Sequence, residues 1–197
     1  MIKLPKDFYL QENVVELSKQ LLGKVLFTQE GNVITGGIIT ETEAYAGVID
    51  RASHAWGGRR TARTETMYAE GGVSYVYLCY GMYSLFNVVT NQKDIPHAVL
   101  VRAIQPVEGI KKVLQRRNVT QMKKGLTTGP GKVSMALGIN FRSHNAQSLS
   151  GNKIWIEDRG IKIIEKQVMK GPRIGVDYAG EDAKLPYRFW LNENLQL

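Results

Sequence analysis

Apolar positions along the chain fall into short stretches whose spacing changes between two periods, and their order sets the expected elements. Val14, Leu17, Ser18, Leu21 and Leu22 stand near helical spacing and Gly23 follows as a stop signal, so a short first helix is expected there. Strands then dominate. Residues 24–29 and 33–40 flank Glu30-Gly31-Asn32, and residues 73–80 and 83–90 flank Gly81-Met82. Both linkers have hairpin-turn composition. Residues 97–105 read as a further strand. From Val107 to about Asn118 the pattern turns helical again, with Val107, Ile110, Val113 and Leu114 on one side and basic residues on the other. Residues 132–137 suggest a short helix after Gly129-Pro130-Gly131. Residues 154–156 and 161–164 suggest a late hairpin around Gly160.

The sum is an α+β fold with mostly antiparallel pairing. There is no βαβ alternation and no GxxxxGK(S/T) phosphate loop. The chain has 197 residues, of which 43% are hydrophobic and 22% charged, enough to bury a real core. No repeat or Pro/Ser-rich linker divides it, so residues 1–197 are expected to form one domain.

Charge narrows the partners. Lys plus Arg number 26 against 18 Asp plus Glu, a formal charge of +8 with a pI near 9.5, which favours a polyanion. Acidic membranes and nucleic acids both fit that charge. The single cysteine, Cys79, excludes an internal disulfide and a zinc site built from Cys pairs. The N-terminus has no apolar stretch of signal-peptide type, so a cytoplasmic location is expected. The most apolar segment, residues 73–89, carries Gly81, Ser74, Ser84, Asn87 and four tyrosines, which suit a buried hairpin better than lipid.

Several residues can carry chemistry. Glu41, Glu43 and Tyr45 share one face of a strand by alternation, and a carboxylate at a strand end can point into a cleft as a general base. An exposed acidic strand edge would look the same. Asp50 and His54 precede a loop with Gly57, Gly58, Arg59, Arg60 and Arg63, whose guanidinium groups match phosphate oxygens. Inert basic loops share that composition, and Glu43, Asp50 and His54 leave a metal site open. Tyr75 and Tyr77 alternate onto one face, while Tyr80, beside Gly81, is expected to project from a hairpin tip as a wedge. Tyr45 and Tyr77 offer flat faces on which a base can stack, worth about 1–3 kcal/mol. Arg102 interrupts the apolar strand 98–104 and, if buried, needs an anionic partner of the Glu43 kind. Lys132 follows a glycine-rich turn of anion-binding type.

These strings together resemble the alkyladenine (3-methyladenine) DNA glycosylases of the non-helix-hairpin-helix type, along nearly the whole chain. The shared stretches include Glu41 to Tyr45, Ala52-Ser53-His54 with Gly57-Gly58-Arg59, Tyr75-Val76-Tyr77, Tyr80 to Tyr83, Leu100 to Ala103, Gly129-Pro130 with Lys132, and Arg173 to Val176. The resemblance implies a single compact domain with a curved antiparallel sheet, flanking short helices and a protruding hairpin. It implies that Glu43 activates water, that Arg102 holds the carboxylate and water, and that the main-chain carbonyl of Ile174 also contacts the water. Tyr45, His54 and Tyr77 would surround an extruded base, and Asn87 would screen out normal purines. Tyr80, with Met82 beside it, would fill the gap left in the duplex.

The implied reaction is hydrolysis of the N-glycosidic bond of a damaged purine, such as 3-methyladenine or 7-methylguanine, leaving an abasic site. Hypoxanthine and ethenoadenine stay open as further substrates. No metal or organic cofactor is expected, and the partner is damaged double-stranded DNA, bound by a nucleoid-associated monomer. Arg102 is expected to favour the ionised form of Glu43. Arg59, Arg60, Arg63 and Lys132 are the candidates for phosphate contacts. Two other readings remain: a metal-dependent nuclease using Glu41, Glu43, Asp50 and His54, and a non-catalytic nucleic-acid-binding protein.

Overall fold

The computed structural model describes residues 2–192. The chain opens with β1 (Ile2–Lys3), α1 (Lys6–Tyr9) and α2 (Val14–Gln20), followed by β2 (Val25–Glu30) and β3 (Val33–Tyr45). A loop containing three short 3-10 turns leads to β4 (Val73–Cys79), β5 (Tyr83–Thr90) and β6 (His97–Glu108). Then come α3 (Ile110–Arg116), α4 (Pro130–Leu137), α5 (Phe141–His144), β7 (Ile154–Asp158), β8 (Val168–Gly171) and β9 (Arg188–Leu191). The fold is α+β, as the residue pattern predicts, with every strand pair antiparallel.

The sheet runs β1-β7-β2-β3-β6-β5-β4, with β9 and β8 added beside β3. β3 is its organising strand. Its first half pairs with β2 on one edge, and its second half, Glu41 to Glu43, pairs with β9 on that edge after β2 has ended. β6 runs along the other edge from Gly36 to Tyr45.

One face of the sheet buries the main core. Leu26, Ile39, Phe86, Val88, Val99 and Val101 pack there with Leu17 and Leu21 of α2 and with Val133 and Leu137 of α4. Asn13 caps α2 by accepting the Glu16 N–H at 3.1 Å, and Pro130 stands at the start of α4, where its missing N–H costs nothing. A smaller cluster of Val25, Phe27, Ile38 and Trp155 lies on the opposite face, with Phe27 stacked on Trp155 at 5.4 Å.

The two long strands carry paired irregularities at their centre. Ile39 faces Ile104 and Glu41 faces Ala103, so Thr40 has no partner on β6. Glu41 faces Ala103 and Thr42 faces Val101, so Arg102 has none on β3. Each extra residue inverts the facing of everything beyond it. Ile39, Ala44, Val101 and Ile104 consequently share the core, and Thr42 hydrogen-bonds Ser18 of α2 there at 2.9 Å. Glu41, Glu43, Tyr45 and Arg102 are turned to the opposite face. Strict alternation from Ile39 would have sent both carboxylates into hydrocarbon.

Two expected elements differ. The helix read from Val107 begins only at Ile110, because Val107 and Glu108 stay in β6 and Gly109, at φ 64°, makes the exit. Residues 161–164 form no strand beside β7, since β1 and β2 already occupy both edges of that strand. Ile163 instead packs against the main core.

If the Thr40 bulge sets the facing of Glu43, its side chain matters little and its presence matters greatly. Thr40→Ala is expected to change stability by no more than about 0.5 kcal/mol. Deletion of Thr40 should abolish cooperative folding, as read by circular dichroism melts of the two variants.

Candidate active site

One row of cross-strand neighbours forms the floor of a cavity of about 290 Å³. Glu43 of β3 faces Leu100 of β6, Leu100 faces Asn87 of β5, and Asn87 faces Tyr75 of β4. Tyr45, His54, Tyr77 and Arg102 also line the space, and Ile174 and Tyr178 close one side. Tyr80 stands at the mouth.

Glu43 has no exposure to solvent. Its Oε1 accepts the Ile174 N–H at 2.9 Å and lies 3.2 Å from an Arg102 nitrogen, and its Oε2 accepts the Tyr45 hydroxyl at 2.8 Å. Burial nevertheless outweighs these contacts and raises the carboxyl pKa above its ordinary value; Arg102, the Ile174 N–H and the Tyr45 hydroxyl each pull it down by less. The attraction expected from Arg102 is present but is the smaller effect.

Arg102 is itself held. Its Nε donates to Glu41 Oε1 at 3.1 Å, and Arg188 donates to the same oxygen at 3.1 Å. The result is a ladder of alternating charge, Arg188, Glu41, Arg102 and Glu43, in which each buried charge meets its opposite.

Three aromatic rings cluster at the Tyr75 end of this row. His54 Nδ1 lies 2.9 Å from the Tyr75 hydroxyl, and its ring meets Tyr77 edge-on at 4.6 Å. Burial, reinforced by the nearby charges of Arg63 and Arg59, pushes the His54 pKa down to about 4, so the imidazole is neutral at physiological pH. Arg63 lies over the Tyr77 ring at 5.4 Å and Arg173 over Tyr45 at 4.9 Å, leaving each tyrosine at most one face for a ligand. The Asn87 amide nitrogen donates to the carbonyls of Tyr75 at 3.0 Å and Leu85 at 3.3 Å, which fixes the side chain in the floor.

Tyr80 and Met82 belong to the tip that joins β4 to β5. Tyr80 adopts φ 51° and is 89% exposed, and Met82 is 71% exposed. Leaving two large apolar groups in water has no packing benefit within the chain, so the tip has the character of a contact surface.

The basic candidates separate. Arg59, Arg63 and Lys132 are exposed; Arg63 lies over the Tyr77 ring, and the Lys132 amine donates to the Gly125 carbonyl at 3.2 Å. Arg60 is not available as expected: it holds Glu65 through two bonds of 2.9 and 2.7 Å, donates to Asp94 at 2.7 Å and stacks on Tyr68. The turn before Lys132 is also partly committed, since the Gly129 N–H donates to the Arg102 carbonyl at 2.8 Å. Ile174 lies beside Glu43 as expected, but the group bonded to the carboxylate is its N–H.

The metal-site alternative loses its ligand set. Asp50 is bonded to Arg173, Glu41 lies between two arginines, and His54 turns its Nδ1 to Tyr75. Among the described residues, no group of three His, Cys, Asp or Glu is placed to hold a metal ion. Nor is any helix there long and apolar enough to cross a membrane.

Sequence reasoning missed the supporting contacts. Glu41 stands there as a strand-face carboxylate and a metal-ligand candidate and not as the partner of Arg102 and Arg188, Arg173 only as part of a shared string, and Tyr178 not at all. Such contacts join residues far apart in the chain, 61 positions for Arg102 and Glu41 and 123 for Arg173 and Asp50, and no local period reports them.

The family model for methylpurine-DNA glycosylase matches residues 7–195. A Chlamydia felis protein provisionally named as a 3-methyladenine DNA glycosylase is 48% identical over 190 residues, covering 96% of each chain. Proteins of the same provisional name from Clostridium perfringens and Bacillus cytotoxicus are each 41% identical, covering 98% of this chain and 97% and 98% of their own. With a match spanning nearly its full length, this chain belongs to the methylpurine-DNA glycosylase family.

Proposed function

We propose that this protein removes alkylated purines, 3-methyladenine foremost, from double-stranded DNA by hydrolysing the N-glycosidic bond. One observation carries the reading: a wholly buried carboxylate, Glu43, held between Arg102, Tyr45 and the Ile174 N–H on the floor of an aromatic-walled cavity. A carboxylate kept that far from water has little structural benefit, since replacing it by an apolar group would remove its desolvation cost.

The target carbon cannot be reached inside a stacked duplex, so the nucleotide swings out, most cheaply where damage has weakened its pairing. Tyr45, His54 and Tyr77 then surround the base, and Asn87 narrows the floor against normal purines. Tyr80 and Met82 enter the vacated stack. Glu43, ionised, takes a proton from water as the water oxygen bonds to the sugar carbon; Arg102 and the Ile174 main chain fix their positions. The glycosidic electron pair leaves with the base and neutralises the positive charge that alkylation placed on its ring. No acid is needed for such a leaving group, which matches a neutral His54. No lysine lines the cavity among the described residues, so there is no amine for a Schiff base and the product is an abasic site. Arg59, Arg63 and Lys132 contact phosphate without selecting sequence.

The deciding experiment incubates the protein, in EDTA, with methylated and with hypoxanthine-containing duplex DNA and identifies the freed base. Release of 3-methyladenine is expected, and no release from either would leave a binding protein. Glu43→Gln should slow release at least about 100-fold in single turnover while binding lesion DNA normally. Wild-type rates in that variant would remove the mechanism.

Base release should rise with pH along a limb lying above the ordinary carboxylate range of about 4.3, because Glu43 works only when ionised and burial lifts its pKa. His54→Gln should leave that limb in place, since His54 already titrates near 4. Single-turnover rates across pH, measured on both proteins, check this.

Tyr80→Ala should weaken binding to lesion-containing duplex about tenfold and to undamaged duplex about twofold or less, as a wedge matters only where a base has left the stack. Equal losses in paired equilibrium titrations would count against the wedge.

A further inference from the structure

Asp50 and Arg173 form a buried ion pair that touches no part of the cavity floor, yet it joins every segment that meets Glu43 from outside the sheet. Arg173 side-chain nitrogens donate to both Asp50 oxygens, one at 2.8 Å, to the Ala44 carbonyl at 2.9 Å and to the Asp182 carbonyl at 3.1 Å. The guanidinium also lies between the rings of Tyr45 and Tyr187, at 4.9 and 5.3 Å. Asp50 accepts the N–H groups of Ala46 and Ala52, each at 3.0 Å, which shapes the loop leading from β3 to His54. The Arg173 side chain is entirely buried and that of Asp50 nearly so.

The next residue after Arg173 is Ile174, whose N–H meets Glu43 at 2.9 Å. A guanidinium fixed on four sides fixes the backbone one peptide away. We infer that the Asp50–Arg173 pair is a positioning device for the hydrolytic step: it holds the Ile174 main chain on Glu43 and the Tyr45 ring against the cavity. The inference rests on the reading of Glu43 as the general base. It concerns alignment, and neither residue is assigned a contact with substrate.

A pair that only stabilised the fold would be a costly choice, because buried ion pairs are often replaceable by apolar side chains without loss of stability. What a guanidinium provides and an apolar side chain cannot is fixed direction: a planar fork with donors at set angles.

The groups facing Glu43 are Glu41 and Tyr45 on its own strand, Arg102 on β6, and Arg173 and Tyr178 from the segment that follows β8. Two donors to Glu43 depend on where residue 173 is pinned: the Ile174 N–H, one peptide away, and the Tyr45 hydroxyl, whose ring lies against the Arg173 guanidinium. Losing either removes a donor that favours the carboxylate, so the base pKa moves up.

The test uses Arg173→Lys and Asp50→Asn in the full chain, with 3-methyladenine-containing duplex as the probe. The lysine variant keeps the charge and loses the fork; the asparagine variant keeps the shape and loses the charge. Each is expected to release base about 10–100-fold more slowly in single turnover, with affinity for lesion DNA unchanged within about threefold. In Arg173→Lys, which keeps the charge facing Glu43, the acid limb of the pH–rate profile should move up by about one pH unit; in Asp50→Asn the un-neutralised Arg173 opposes that shift, and the rate per active site is the readout. A merely structural pair would lower the melting temperature and the active fraction but leave the limb of the remaining active protein where it was. Folded Arg173→Lys with an unmoved limb and a wild-type rate per active site, or folded Asp50→Asn with a wild-type rate per active site, would overturn the inference. Rates are normalised by stoichiometric titration with lesion DNA, so partial unfolding of one variant does not mask the result. Glu43→Gln at wild-type rate would instead strike the reading of the site itself, which keeps the two failures distinct.

Discussion

A carboxylate withdrawn completely from water is a severe local demand, and the surroundings of Glu43 are organised to meet it. The penalty for burying an ion is several kcal/mol, recoverable only when hydrogen bonds and an opposite charge are supplied in good geometry. Three donors from three separate parts of the chain converge on the two oxygens. The match is incomplete, and the raised pKa records the remainder. That shortfall gives the group its basicity: a carboxylate satisfied in full would have little tendency to take a proton.

The demand reaches outward through the backbone. Two adjacent bulges, one in β3 and one in β6, turn Glu43 and Arg102 out of the main core together and leave the pairing beyond them in register. A bulge in one strand alone would have shifted the cross-strand partners that build the floor. Arg102 then serves two carboxylates, and Arg188 balances the second of them. Charge is thus neutralised stepwise from the cavity to the sheet edge.

Much of this was legible in the sequence at the level of elements. Helix α2, the β2–β3 and β4–β5 hairpins, the projecting Tyr80 and the need of Arg102, if buried, for an anionic partner of the Glu43 kind all follow from period, turn composition and the cost of an unpaired charge. The rest depends on which strand edges are free. Residues 161–164 have strand composition but find β7 already paired on both sides. Arg60 reads as a free cation until Glu65 and Asp94 fold against it. The inversion of facing at Thr40 leaves no local mark, because alternation before and after it is regular. The Asp50–Arg173 contact spans 123 positions and lies outside any period.

The floor of the cavity crosses four neighbouring strands, with one side chain from each: Glu43, Leu100, Asn87 and Tyr75. Adjacent strands are held at a spacing fixed by main-chain hydrogen bonds, so the span from the acid to the far tyrosine is about 14 Å whatever the side chains between them. Substitution at Leu100 or Asn87 can therefore deepen or fill the chamber but cannot widen it. Diversification of such a chamber toward other ligands is confined to one dimension, the direction perpendicular to the sheet.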